Sequence, residues 1–287
     1  MLLLTVASCD AFGHAAVDVC HQPAVRPEIS VEFSRHQVAQ IEPQPGTTRQ
    51  QHRNFDALAR VGSARLSFGY GHRYTLFDFA GVSPQTNAHL HTSYFPLHWT
   101  DGSQAHNFRL SVAPALSASS NLIGRPRQYR GETLHWLFAL AWQRKLDGQT
   151  TLRYGVCGDL RFGRYEVYPQ AAIEWTPDPD WLFELGFPRS RLRYRLTDAL
   201  TSTLLVAPDG SEWQVMNRER SERSNFSYEA YALDWTFEWQ ALSRIAVRMS
   251  IGTNLRNRLE LTLLDGQRVR LSTESVLNVG LGMRWRF

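Results

Sequence analysis

From Ser275 to Phe287 the chain reads S-V-L-N-V-G-L-G-M-R-W-R-F, with an apolar residue at almost every second position. Leu277, Val279, Leu281, Met283, Trp285 and Phe287 therefore share one face of an extended strand. Asn278, Gly280, Gly282, Arg284 and Arg286 share the other. A strand of a soluble sheet buries its apolar face and wets the opposite one. Here the apolar face ends in two aromatics, and the other face carries two full charges and two glycines. This arrangement suits a strand with hydrocarbon outside, a polar lumen inside and aromatic rings at the headgroup level.

The same period of two recurs along most of the chain, and helical periodicity is nearly absent. Phe108 to Leu116, Leu152 to Phe162, Tyr231 to Trp239 and Ile245 to Leu255 all alternate in this way, with charged or small polar residues between the large ones. Several such segments run to ten residues or more, close to the roughly 9–11 needed to cross a bilayer at a tilt. The spacing predicts strands near 28–40, 48–61, 64–78, 87–99, 105–118, 132–145, 149–163, 165–176, 180–187, 189–197, 200–216, 224–242, 244–262 and 275–287. The expected fold is an all-β, transmembrane, antiparallel up-and-down β-barrel. It has fourteen strands if the short pair around Trp181–Leu196 lies in the wall, and twelve if that pair protrudes. Connections sort by side. Asp147-Gly148, Pro177–Asp180 and Leu242–Arg244 are tight and belong with Phe287 at the periplasmic end. Asn217–Ser224 and Leu264–Thr273 are longer and belong at the other.

Composition agrees with this and excludes other classes. The longest clean apolar runs, such as Leu2 to Ala7, fall far short of the roughly 20 residues of a membrane-spanning helix. Net charge is only +4, with arginines interleaved among acids, so the basic stripe of a nucleic-acid binder is missing. Residues 1–15 read as a signal peptide lacking its charged start, truncated or mis-started, with Gly13-His14-Ala15 at the cleavage offsets. A rival reading takes Val6-Ala7-Ser8-Cys9 as a lipoprotein box acylated at Cys9. Residues 16–27 are expected to form a periplasmic amino-terminal segment and 28–287 the barrel. Export permits a disulfide between Cys20 and Cys157, but the spacing does not establish one. The cysteines have no metal-site spacing, and neither metal nor cofactor is expected.

Gly280, Gly282, Trp285 and Phe287 resemble the terminal signal by which outer-membrane barrels are recognised for insertion. That resemblance implies the barrel-assembly machinery and outer-membrane lipid as partners. A second resemblance lies between Gly163 and Met216, on I-E-W-T-P at Ile173–Pro177, W-L-F-E-L-G-F-P at Trp181–Pro188, R-L-R-Y-R-L at Arg191–Leu196 and D-G-S-E-W at Asp209–Trp213. These segments resemble an uncharacterised family of bacterial outer-membrane β-barrel domains. The resemblance implies fold and an outer-membrane location, and no activity.

Candidate site residues follow from the inward faces. Arg109, Arg153, Asp159, Arg161, Asp234, Glu238, Arg248, Arg256, Glu260, Arg284 and Arg286 are expected to line the lumen, with Asp234 and Glu238 able to pair with Arg248. Arg189, Arg191, Arg193 and Arg195 form a ladder on one face, which must avoid lipid because arginine at the midplane costs about 2–4 kcal/mol. His89 and His91 share a strand face, where they could bind a metal or serve as a base, but with His135 they are read as polar residues of an extracellular loop and strand mouth. No segment carries a hydrolase signature such as G-x-S-x-G. The expectation is thus a passive small channel or structural barrel, with no enzymatic activity. Two alternatives are an outer-membrane lipid-modifying enzyme, marked by a serine or acid bonded to one of those histidines at the rim, and a soluble exported β-sandwich binding module.

Overall fold

The computed structural model describes residues 19–20, 27–42, 49–63, 65–80, 87–103, 105–129, 131–216, 223–262 and 268–287. Residues 1–15, read as a signal peptide, and Cys9 lie outside the described residues. Alternating side chains build one closed antiparallel barrel of fourteen strands. These are β1 (Glu28–His36, continuing as Ala39–Glu42), β2 (Arg49–Gly62), β3 (Leu66–Ala80), β4 (Asn87–Tyr94, continuing as Leu97–Gly102), β5 (His106–Ser119), β6 (Leu134–Lys145) and β7 (Thr150–Asp159). They are followed by β8 (Glu166–Trp175), β9 (Trp181–Phe187), β10 (Ser190–Arg195), β11 (Leu200–Met216), β12 (Arg223–Leu242), β13 (Ile245–Thr262) and β14 (Arg268–Thr273, continuing as Val276–Arg286). The wall closes where β1 meets β14, from Glu28↔Arg286 to His36↔Asn278. No helix among the described residues is long and apolar enough to cross a membrane.

The short pair is part of the wall, as β9 and β10, so the count is fourteen. β14 is longer than the sequence pattern suggested. Its first part, Arg268–Thr273, pairs with β13 and lies in a segment expected to be loop. The break at Glu274–Ser275 interrupts the pattern without ending the strand. Tight turns gather at the end occupied by Phe287, whose N–H bonds to Pro27 O beside the Arg286 N–H to Arg244 O contact. In one of these turns, Asp147 Oδ1 accepts the backbone N–H groups of Gln149 and Thr150, each at 2.7 Å. Those two donors hold its carboxyl below the usual carboxylate range.

Outer and inner faces separate by chemistry. Phe33, Phe55, Phe68, Trp136, Ile173, Leu185, Trp235, Met249, Leu281 and Met283 are exposed on the outside. Near the turns, Trp99, Phe108, Trp142 and Tyr154 form a continuous aromatic run across four strands, with centroids 5.3–6.0 Å apart. This is the aromatic girdle and apolar band of a membrane barrel. The opposite rows are buried and largely polar: Gln50, His52, Asn54, Asp56 and Arg60 on β2, and Asn278 and Arg284 on β14.

One part of the wall is uneven. β9 and β10 pair with each other over only four residues on each strand, Trp181–Glu184 against Arg191–Tyr194. Above these pairings, Glu166–Gln170 of β8 and Ala207–Trp213 of β11 have no strand partner on this side. The upper half of β11 leaves the regular order there. Gln214 pairs in parallel with Ala118 of β5, and Met216 N donates to Ser119 Oγ at 3.3 Å. The turn after β7 covers the gap, with Gly210 packed on Arg161 O, Tyr228 O and Gly163 N.

Candidate functional site

The interior has three chemically distinct parts. Toward the turn end, the polar rows of β12, β13, β14, β1, β2 and β3 meet in ion pairs. Arg60 bonds to Glu28, Arg284 to Glu238, Arg73 Nε to Asp56 Oδ1 at 2.7 Å, and Arg248 to Glu32 at 3.4 Å. Glu238 and Arg248 are opposite in register, as the alternation implies, yet they choose different partners. Arg248 turns to Glu32 on β1 and to Thr236 Oγ1 at 3.2 Å, leaving Glu238 for Arg284. Asp234 is buried on the same inner row. Pairs of this kind add little net stability, but removing one partner is costly because it strands a charge away from water.

Across the lumen, β7–β10 build a second cluster around Glu184. This carboxylate is buried and accepts from Arg189 Nε at 3.0 Å and Arg191 at 2.8 Å, with Arg153 at 3.5 Å. Arg153 also bonds to Glu174. The arginine ladder thus splits by height. Arg189 and Arg191 hold Glu184, Arg193 is half-buried between, and Arg195 pairs with Asp180 at the turn end at 2.7 Å. Arg109 is half-buried on the inner row of β5, below Ser111 and Ala113.

Toward the loop end, the interior becomes aromatic. Phe77, Trp213, Phe226 and Tyr228 pack with centroids 5.2–6.2 Å apart, joined by Leu90, Val215 and Leu259. Polar bonds frame this plug. Trp213 Nε1 donates to Thr92 Oγ1 at 3.0 Å, Asn254 donates to Asp209 at 3.0 Å and to Tyr228 Oη at 2.9 Å, and Asn278 donates to Asn254 at 2.9 Å.

Val19 and Cys20 are inside the barrel, although the segment before β1 was expected in the periplasm. Val19 is fully buried among Leu58, Tyr94, Ala113, Ala115, Leu137 and Leu160, all on inner rows or the adjoining turn. Cys20 forms a disulfide with Cys157, Cα to Cα 5.9 Å. Asp159 lies beside it, accepting Tyr168 Oη at 2.8 Å and pairing with Arg161 at 3.2 Å. Cys20, Cys157 and Asp159 converge closely enough for a metal. With the two sulfurs bonded to each other, no thiolate is left to bind one.

Two expected lumen residues lie elsewhere. Arg256 has a positive φ of 53° and sits at a register shift between β12 and β13, where Glu229 pairs with Arg258 but Tyr231 pairs with Leu255. This bulge inserts one residue and reverses the faces beyond it. Asn257 and Leu259 turn inward, Arg256 is exposed, and Glu260 pairs outside with Arg268 and Arg270. Arg286 is half-buried at the turn-end rim. Conversely, sequence reasoning missed Glu28, Glu32, Asp56, Arg60, Arg73 and Asp209. The signal was present in β2, where Gln50, His52, Asn54 and Asp56 fall at every second position and Arg60 follows on the same face beyond Leu58.

The four residues that resemble an insertion signal lie on the last strand and the residue that follows it. Trp285 and Phe287 stand on the outer face with rings 5.4 Å apart, whereas Gly280 and Gly282 stand on the inner one, near Ser250 and Glu32.

His89 and His91 are on the outer face of β4, not in a loop. His91 Nε2 is 2.8 Å from Ser120 Oγ, and its Nδ1 is 3.4 Å from His72 Nε2. A serine does therefore meet a histidine at the outer rim. Among the described residues no carboxylate hydrogen-bonds either ring, so the pair has no acid behind it. His135 is buried on β6, its ring stacked 6.1 Å from Tyr165.

No family model matches the chain, and no curated protein matches it. Solved structures do. The Pseudomonas putida toluene transporter TodX aligns over 96% of this chain and 94% of its own, with a TM-score of 0.50 and 12% identity. A TodX monoaromatic hydrocarbon channel mutant aligns over 95% and 93%, with a TM-score of 0.51 and 10% identity. At such identities the likeness is one of fold: this chain is a transmembrane β-barrel of the kind those structures share.

Proposed function

We propose that this chain is a bacterial outer-membrane protein acting as a narrow, passive channel for small solutes, and not an enzyme. The observation that carries the reading is the interior itself. A closed membrane barrel keeps rows of charged groups facing inward, where a purely structural core would favour apolar filling. Fourteen strands fall between the roughly eight that side chains fill and the sixteen to eighteen that leave an open pore. The aromatic plug and the Val19–Cys20 segment narrow the path further.

Location in the outer membrane is inferred from the terminal strand with its aromatic face, and from the resemblance of Gly163–Met216 to outer-membrane barrel domains. Around Glu184 three arginines meet two carboxylates, and this surplus of positive charge biases passage toward anions. Planar-bilayer recording of the purified barrel tests both parts. Small conductance steps and a reversal potential displaced toward the anion are expected. Cation selectivity would reverse the charge reading, and no conductance would leave a sealed structural barrel.

A further inference from the structure

The outer face of β3 and β4 carries a group of side chains that a passive wall does not use. His72 and Tyr74 of β3 stand beside His89, His91 and Ser93 of β4, with Ser120 reaching over from the turn after β5. Their height follows from the register. Phe33, Phe55, Tyr74 and His91 lie on one rung of the outer wall, and Arg35, Arg53, Leu76 and His89 lie on the next rung up. The rung of His91 carries the exposed Phe33 and Phe55 and the next carries Arg35, Arg53 and His89, so the outer face turns from apolar to polar at the histidines. Imidazoles facing hydrocarbon here would be poor lipid contacts, so their presence needs a reason.

The hydrogen bonds supply one. His72 Nδ1 is 2.8 Å from Ser93 Oγ, and His91 Nε2 is 2.8 Å from Ser120 Oγ. If each neutral ring donates its single N–H to its serine, both nitrogens that face each other, His72 Nε2 and His91 Nδ1, carry lone pairs. They lie 3.4 Å apart, the distance of a hydrogen bond when either one carries the proton, and with both protons on the serine side a metal cation can take that place. The spacing fits such a cation. Two ligands at about 2.1 Å from a metal and 3.4 Å from each other subtend about 108°, the tetrahedral angle. Serines on the far nitrogens are also the outer partners that fix the tautomer of metal-binding histidines.

We infer that His72 and His91 form a transition-metal chelate on the outer wall of the barrel, with Ser93 and Ser120 orienting the rings. The metal is of the class that two imidazoles favour, Cu(II), Ni(II) or Zn(II). Water completes the coordination on the open side. The chelate ties β3 to β4 and, through Ser120, to the turn that follows β5. His89 is one ring removed, its Nδ1 2.5 Å from Tyr74 Oη and Tyr74 5.0 Å from His91, so it supports the patch without entering the chelate.

Titration of the detergent-solubilised full chain with Cu(II), followed by electron paramagnetic resonance, tests the site. Expected is one equivalent with hyperfine splitting from two nitrogens, and Ni(II) binding more weakly than Cu(II). His72→Asn or His91→Gln should each remove the two-nitrogen signal, and the double variant provides the background from other histidines. Ser93→Ala and Ser120→Ala should each weaken binding by about tenfold, since loss of outer partners costs roughly 10–100-fold. Heat-modifiable migration on a gel shows whether each variant is folded. Because the two histidines are on different strands, failure of one variant to insert leaves the other to decide. Wild type binding no more metal than the double variant would overturn the inference. So would covalent labelling of Ser120 by a fluorophosphonate, because Ser120 would then have to give its proton to His91.

Discussion

Glu184 accepts from two arginines and lies within reach of a third, in a space largely closed to water. Its carboxylate cancels charge that the barrel wall would otherwise hold unpaired, so replacement by glutamine changes charge with almost no change of shape. Glu184→Gln should lower stability by about 3–5 kcal/mol, the usual cost of stranding a buried charge. Chemical-denaturant titration in detergent micelles would read this loss. The same variant should shift the reversal potential further toward anions. An unchanged denaturation midpoint would mean that the three arginines are already solvated. Which residues face inward is readable from the period of two, and Glu184, Arg189 and Arg191 follow it. Partner choice is not readable in that way. The register places Glu238 opposite Arg248, yet each side chain reaches a different strand, because rotamer and neighbouring charge decide between partners at similar distance.

At the scale of the element, the uneven wall around β9 and β10 depends on close backbone approach. A Cβ at Gly210 would strike the Arg161 and Tyr228 carbonyl oxygens and the Gly163 nitrogen, none of which can move as a side chain can. Gly210→Ala should therefore destabilise the barrel by about 1–3 kcal/mol, in the range of overpacked interiors. A lower temperature for loss of the fast-migrating gel form is the expected readout, and an unaltered temperature would show that the turn after β7 packs loosely. The last strand invites a different test. Trp285→Ala with Phe287→Ala, or deletion of Phe287, should reduce the amount of barrel in the outer membrane, because the terminal aromatic face is where the insertion machinery would bind. Equal yields would show that these rings only pack. Strand limits were legible because each strand alternates for many residues. The face reversal in β13 was not, since a single extra residue at Arg256 leaves the local alternation intact while changing what it means. Likewise, the outer-face histidines look like loop residues in sequence, because a polar side chain near a strand end fits both places.

For the whole molecule, the barrel and its interior differ in legibility. Closure, the run of alternating strands and the charged lower interior come from repeated local patterns, whereas the place of the short pair β9 and β10 in the wall, and with it the count of fourteen, does not. The aromatic plug and the buried Val19 come from contacts far apart in sequence, such as Phe77 with Phe226, for which no period gives a hint. The Cys20–Cys157 link is likewise a long-range fact, joining residues 137 apart. Cys20→Ser should free Val19 and its neighbour from the lumen and raise single-channel conductance, with the barrel still heat-modifiable. Conductance identical to wild type would sink the idea that this segment narrows the path. The same link has a bearing on how the closed wall is held. β1 and β14 zip together only once, and the wall they complete encloses Cys20. Cys20 is thus tied to β7 from within that wall, so the closed barrel holds a covalent strut across its inside as well as the hydrogen-bonded seam of its first and final strands.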